Sequence, residues 1–166
     1  MNIFVVDANV INYFQKERIS DSPDEASEAI TEIFSQGAIA LDPAGHCLNE
    51  WEECAAGEYP FALSDWVTDN IALGNIQYFE FCEHNLFRAL IALGIPKKDH
   101  KWVRLAIGSD GKKIVTEDID LIEPKSKKAN AKTISDIKLS GKGTASKTLK
   151  KQFGVNVMCC CHVCKP

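Results

Sequence analysis

The 166-residue chain has no long hydrophobic run, no arginine beyond residue 104, and few aromatic residues (8%). No apolar stretch approaches the roughly 18 residues that a membrane-spanning helix requires, so a membrane protein is excluded. The opening Met-Asn-Ile-Phe-Val-Val-Asp has no basic stretch and reaches a charge at Asp7, which argues against a secretory signal. The seven cysteines are therefore expected to stay reduced, in a soluble cytoplasmic protein. Ten glycines and six prolines are too few for a collagen or a disordered tail, and 45% apolar against 25% charged residues is ordinary globular composition. One domain spanning 1–166 fits this length, and a chain of this size needs no metal or disulfide to complete a core.

What the chain does have is charge segregation. Residues 1–122 carry 9 Lys+Arg against 21 Asp+Glu, a sum of −12, whereas residues 123–166 carry 10 Lys against Glu123 and Asp136, a sum of +8. An acidic body would repel nucleic acid, while a local lysine cluster can still bind it.

Apolar β-branched runs alternate with helical periodicity along the chain. Residues 2–6 read as a buried strand ending at Asp7, and Asp7 or Asn9 caps a first helix. Pro23 stands at a favoured first helical position before Ala26, Ala29, Ile30 and Ile33, and Gly37 stops that helix. Residues 38–41 form a second strand closed by Asp42-Pro43, and residues 46–56 a helix with Leu48, Trp51 and Ala55 on one face. The span 61–94 reads as one or two helices ended by Gly94 and Pro96, and Asp99 opens a further amphipathic helix. Residues 113–116 are a third strand, leading to Glu117-Asp118-Ile119-Asp120, and residues 155–159 a last one. This alternation predicts a parallel α/β sheet covered on both faces.

Asp7 and Asp118 each directly follow a strand, and in open parallel sheets functional groups gather at the strands' carboxyl ends. Glu50 and Asp99, each near a helix start, are candidates for the same crevice. An Asp after a strand also serves as an ordinary helix cap, and an exposed helical Glu such as Glu50, beside Glu52 and Glu53, is commonplace. Carboxylates gathered together cannot all stay charged unless a cation joins them; hard Mg²⁺ or Mn²⁺ takes oxygen ligands and pairs with phosphate.

The stretch Val5-Val6-Asp7-Ala8-Asn9-Val10-Ile11 resembles the strand-one motif of the PIN-domain (PilT N-terminus, VapC-like) metal-dependent nucleases. Asp99 opening a helix, with Thr116-x-Asp118 after the next strand, resembles that family's closing block, and Glu50 matches its internal helical acid by position. The resemblance covers about residues 1–122 and the last strand. It implies a three-layer α/β/α PIN-like fold with a central, mostly parallel sheet. Asp7, Glu50, Asp99 and Asp118 would be the catalytic acids holding Mg²⁺ or Mn²⁺, with Asn9 and Thr116 orienting them and Asp120 an outer ligand. It further implies hydrolysis of phosphodiester bonds, RNA before DNA, leaving a 5′-phosphate and a 3′-hydroxyl. The small relatives are toxins of toxin–antitoxin modules, which implies an antitoxin or regulatory protein partner and a homodimer. The alternatives are a DNA-directed nuclease of phage defence or repair, and a PIN-like module that binds RNA or protein without cutting. A receiver domain would want adjacent acids after its first strand, and a haloacid-type phosphatase would want Asp-x-Asp; Asp7-Ala8-Asn9 offers neither.

Residues 123–152 depart from the family pattern. They hold nine lysines and read as an insertion before the last strand, either a solvated loop or a basic flap that grips phosphates through Lys125, Lys127, Lys128, Lys132, Lys142 and Lys147. Cys159-Cys160-Cys161-His162-Val163-Cys164 contains one Cys-x-x-Cys and a histidine. Structural zinc wants four ligands, which this segment would have to supply alone or with His46 or Cys47; zinc is the lesser reading, and buried or terminal thiols the first. Cys47, Cys54 and Cys82 read as small hydrophobes on helical faces, and His84 and His100 as surface helical residues.

Overall fold

The structure is a computed structural model that describes residues 1–55 and 60–165. β1 (Asn2–Val6) runs into α1 (Ala8–Ile19), followed by α2 (Glu25–Gln36) and β2 (Gly37–Leu41). Then come α3 (His46–Ala55), α4 (Pro60–Ala72), β3 (Ile76–Tyr78), α5 (Phe87–Ala92), α6 (His100–Gly108) and β4 (Lys113–Val115). The chain closes through α7 (Ala131–Ser140), α8 (Thr144–Phe153), β5 (Asn156–Met158) and α9 (Cys160–Val163), with short 3₁₀ turns before α6 and after β4. Among the described residues no helix is long and apolar enough to cross a membrane.

The five strands form one sheet in the order β3-β2-β1-β4-β5, every pair parallel. Ile3, Phe4, Val5 and Val6 point alternately to opposite faces of β1, and all four are buried. Both faces of the sheet are therefore covered, as a parallel sheet requires. α6 lies against β1, β2 and β4, α2 against β2, and α8 against β5, an arrangement consistent with three α/β/α layers. Gly37 permits the β1–β2 edge to close: a Cβ there would stand 1.8 Å from the carbonyl oxygen of Asn2.

Strand order reverses at β1, which has β2 on one side and β4 on the other. Val6 pairs with Val115, so the next residues along each chain, Asp7 and Thr116, emerge side by side at the strands' carboxyl ends. That pairing places the candidate site.

Three expectations need correction. The span 61–94 is not wholly helical: Gly74, with φ +77°, ends α4's turn, and Ile76–Tyr78 follows as the edge strand β3. Leu73, just before that break, is 73% exposed. The stretch 123–152 is not a solvated loop. It holds two helices and supplies the crossover that parallel β4 and β5 need. α8 buries Ala145 and Leu149 in the main core, and Gly141 and Gly154, both left-handed, cap α7 and α8. Finally, the last strand, expected over 155–159, spans Asn156–Met158. The chain turns at Cys159 into α9, and Cys159 and Cys161 are joined as a disulfide, so the two are not free thiols. Smaller shifts are that Pro23 precedes the cap Asp24 rather than opening α2, that Cys54 is exposed, and that Cys82 lies between β3 and α5 rather than on a helix. The predicted end of the third helix at residue 56 lies outside the described residues.

Candidate active site

Asp7 stands at the N-cap position of α1, yet its side chain makes no cap hydrogen bond. Instead, its Oδ2 accepts from the Thr116 hydroxyl at 2.8 Å and from Asn9 Nδ2 at 3.2 Å. The Asn9 side-chain Oδ1 accepts from the Glu117 amide (3.0 Å), and Thr116 Oγ1 accepts from the Asp118 amide (3.0 Å). Asp118 in turn accepts from the Asp120 amide at 3.1 Å. The ends of β1 and β4 are thus stitched together by side chains that all face the same crevice.

Asp42 gives the contrast. It too follows a strand, but its two oxygens accept from the His46 and Cys47 amides at 2.9 and 2.8 Å. Those bonds to the start of α3 hold its carboxyl below the ordinary value despite burial, so Asp42 is an ordinary cap and no part of the cluster.

The candidate acids lie close enough for their charges to act on one another. Burial pushes Asp7 up to about 6; the Thr116 hydrogen bond opposes this, and the charges of Asp118 and Glu50 add to it. Burial pushes Asp99 up to about 7, with Asp7, Asp118 and Asp120 adding repulsion against the relief given by Lys98. Asp99 Oδ2 and Asp120 Oδ1 are buried with no hydrogen-bond partner. Asp7, Asp99 and Asp120 are buried, whereas Glu50 and Asp118 are half-buried. Among the described residues, no three of these carboxylates bring oxygens within 4.8 Å of one another.

Two acids already carry a lysine. Lys101 pairs with Glu50, and Lys127 Nζ lies 2.6 Å from Asp120 Oδ2. Lys127 is the lysine of the 123–152 stretch that the fold brings to the acids. Lys138 instead pairs with Glu117 at 3.3 Å. Lys125, Lys128 and Lys132 are exposed; Lys142 and Lys147 are also exposed and line a separate basic groove beside β5, together with Lys150.

Glu117 was not singled out in the sequence. Its carboxylate receives the Cys160 amide at 2.8 Å as well as Lys138, so it ties β4, α7 and α9 together. Nothing in a Thr-Glu-Asp string distinguishes the middle residue, because its partners come from far along the chain. A groove of about 820 Å³ leading away from Glu50 was missed as well. It is lined by Phe81, Phe87, Lys97, Lys98 and Arg104 among others, with Lys97 5.3 Å from the centre of the Phe87 ring and Arg104 5.2 Å from that of Phe81. Phe87 is 47% exposed. His100, read as a surface residue, is buried, and its Nε2 donates to the Ile95 carbonyl at 3.0 Å.

Compared with protein-family models, with curated proteins and with solved structures, the chain matches none.

Proposed function

We propose that the chain is a metal-dependent nuclease that hydrolyses phosphodiester bonds at the acid cluster, with single-stranded RNA as its substrate class. The PIN-like sequence pattern supports the same reading. The observation that carries it is a set of buried acids, Asp7 and Asp120 following β1 and β4 and Asp99 at the start of α6, of which Asp7 and Asp99 are pushed up to about 6 and 7 and Asp99 and Asp120 each keep a carboxylate oxygen that no donor reaches. Such groups are stable near neutrality only when protonated or joined by a cation. Asp7, Glu50, Asp99 and Asp118 would hold Mg²⁺ or Mn²⁺, with Asp120 outside them. When bound, the ion lowers the pKa of water and neutralises charge on the scissile phosphate.

The protein's own part is positioning. Thr116 and Asn9 fix Asp7 Oδ2, and the Asp118 amide is held by the same hydroxyl. The groove beside Glu50 offers aromatic faces at Phe81 and Phe87 and cations at Lys97, Lys98 and Arg104. Exposed rings favour unstacked bases, and a duplex hides its base faces. The reading includes an antitoxin-type protein partner for a cytoplasmic toxin.

One observation favours a second reading, a module that binds RNA without cutting: Lys101 and Lys127 already neutralise Glu50 and Asp120. End-labelled single-stranded RNA, structured RNA and duplex DNA, each incubated with Mn²⁺, Mg²⁺ or EDTA, separate the two. Metal-dependent cutting by the native chain that is lost in Asp7→Asn is the expected result. RNA retention without cutting, in folded protein, favours the second reading.

A further inference from the structure

The C-terminal corner holds a second constellation that the acid cluster does not use. In the turn from β5 into α9, the sulfurs of Cys159 and Cys161 and a ring nitrogen of His162 lie within 4.8 Å of one another. A continuing strand would send His162 to the face opposite both cysteines; the turn draws it in. His162 Nε2 lies 2.7 Å from the Leu139 carbonyl oxygen. A carbonyl can only accept, so Nε2 carries the proton and Nδ1 keeps its lone pair. A backbone carbonyl behind the imidazole is how metal-binding histidines are held in tautomer and orientation. Gly141 lies against the same ring, where a Cβ would stand 3.3 Å from Cε1.

The other two thiols of the corner stand outside this group: among the described residues neither the Cys160 nor the Cys164 sulfur joins it, and Cys160 is buried with its amide donating to Glu117 at 2.8 Å. The donor set is therefore two sulfurs and one imidazole nitrogen, with a position left for water. Thiolates select zinc and copper(I) over magnesium and manganese, so this corner and the acid cluster would not compete for one ion.

We propose that Cys159, Cys161 and His162, once reduced, bind one metal ion of the Zn²⁺ or Cu⁺ class, and that oxidation closes the site. The two sulfurs are joined in the structure. A low-molecular-weight thiol opens them: its thiolate attacks one sulfur, a mixed disulfide forms, and a second thiol displaces the cysteine. The products are two protein thiols and one small-molecule disulfide, which balances atoms and electrons. Metal binding then releases the two thiol protons. Leu139 belongs to α7 and Cys159 to the end of β5, so a loaded site fastens the C-terminal corner to the lysine-rich crossover.

The full-length protein, reduced with a phosphine and stripped of metal, is titrated with Zn²⁺ against a chromogenic chelator, and separately with Co²⁺ while thiolate-to-cobalt absorption is followed. The expected result is one tightly held ion per chain with thiolate absorption, at least tenfold weaker binding in Cys161→Ser and in His162→Gln, and no loss in Asp7→Asn. The disulfide form, verified by mass, is expected to hold no tightly bound ion. Neither Cys161 nor His162 is fully buried, and circular dichroism confirms that each variant is folded. Absence of a tight ion, absence of thiolate absorption, or affinity unchanged in both folded variants overturns the proposal. The readout uses no nucleic acid, so it stands or falls apart from the nuclease reading.

Discussion

Thr116 Oγ1 and Asp7 Oδ2, 109 positions apart in sequence, meet at 2.8 Å at the carboxyl ends of neighbouring strands. The hydroxyl has one proton and two lone pairs, and all three are used: it donates to Asp7 and accepts from the Asp118 amide and, at 3.4 Å, from Asn9 Nδ2. Replacing it with the near-isosteric valine would leave a part-buried amide and a carboxylate oxygen short of a partner. Thr116→Val is expected to lose about 1–3 kcal/mol of stability and roughly 10- to 100-fold of metal-dependent cleavage, while Thr116→Ser retains most of both. Denaturant unfolding and single-turnover cleavage test this; an unimpaired valine variant would refute the positioning role.

The central elements were legible because their signals are local. β1 is an apolar run ending in an acid, and α2 shows clean i, i+3/i+4 spacing. Whether an Asp after a strand caps its own helix is not local. Asp7 and Asp42 look alike in sequence; Asp7 turns away from its helix because β4, paired through Val6 and Val115, delivers a hydroxyl beside it. β3 escaped because three residues at a sheet edge carry no period, and Ile71, Ile76 and Phe79 imitate a helical stripe unless Gly74 is read as a break. In α8 the lysines masked a sparse core stripe, Ala145 and Leu149, and the disulfide turn after β5 has no signature beyond the cysteines themselves.

Metal-free protein is expected to become more stable as pH falls from about 8 towards 5. A carboxyl whose folded pKa lies above its unfolded value holds its proton more tightly when folded. It therefore adds stability as pH drops through the folded value towards the unfolded one. Asp7 and Asp99, at about 6 and about 7 against 3.8, both act in that window. Asp42, shifted the other way, keeps its contribution until pH falls near its unfolded value. Asp99→Asn removes a buried charge, and in EDTA at pH 8 it should raise stability by on the order of 1–3 kcal/mol and flatten the pH profile. Thermal melts in EDTA check this; a melting temperature that falls steadily from pH 8 to 5 would contradict the burial of these acids.

Phe87 sits half-exposed in the groove beside Glu50, below Lys97. Stacking a base on such a ring contributes about 1–3 kcal/mol, so Phe87→Ala is expected to raise KM for single-stranded RNA by roughly 5- to 100-fold while leaving kcat within about twofold. Lys142→Ala/Lys147→Ala, in the separate groove beside β5, should leave that KM nearly unchanged at moderate salt. The reverse pattern would move the substrate to the basic groove.

Leu149 decides whether the lysine-rich stretch is structure or appendage. It is fully buried in the main core on α8, one turn beyond the buried Ala145. α8 leads through Gly154 into β5, whose pairing with β4 places Met158 O to receive the Thr116 amide at 3.0 Å. Loosening α8 should therefore reach the acid cluster through β5 and Thr116. Leu149→Ala is expected to cost about 2–5 kcal/mol of global stability. The neighbouring exposed Lys147→Ala should stay within about 0.5 kcal/mol. Hydrogen exchange would show the amides of β4 and β5 losing protection together in the leucine variant. If their protection is unchanged while 123–152 alone exchanges faster, the stretch is an appendage and the β5 coupling to Thr116 fails with it.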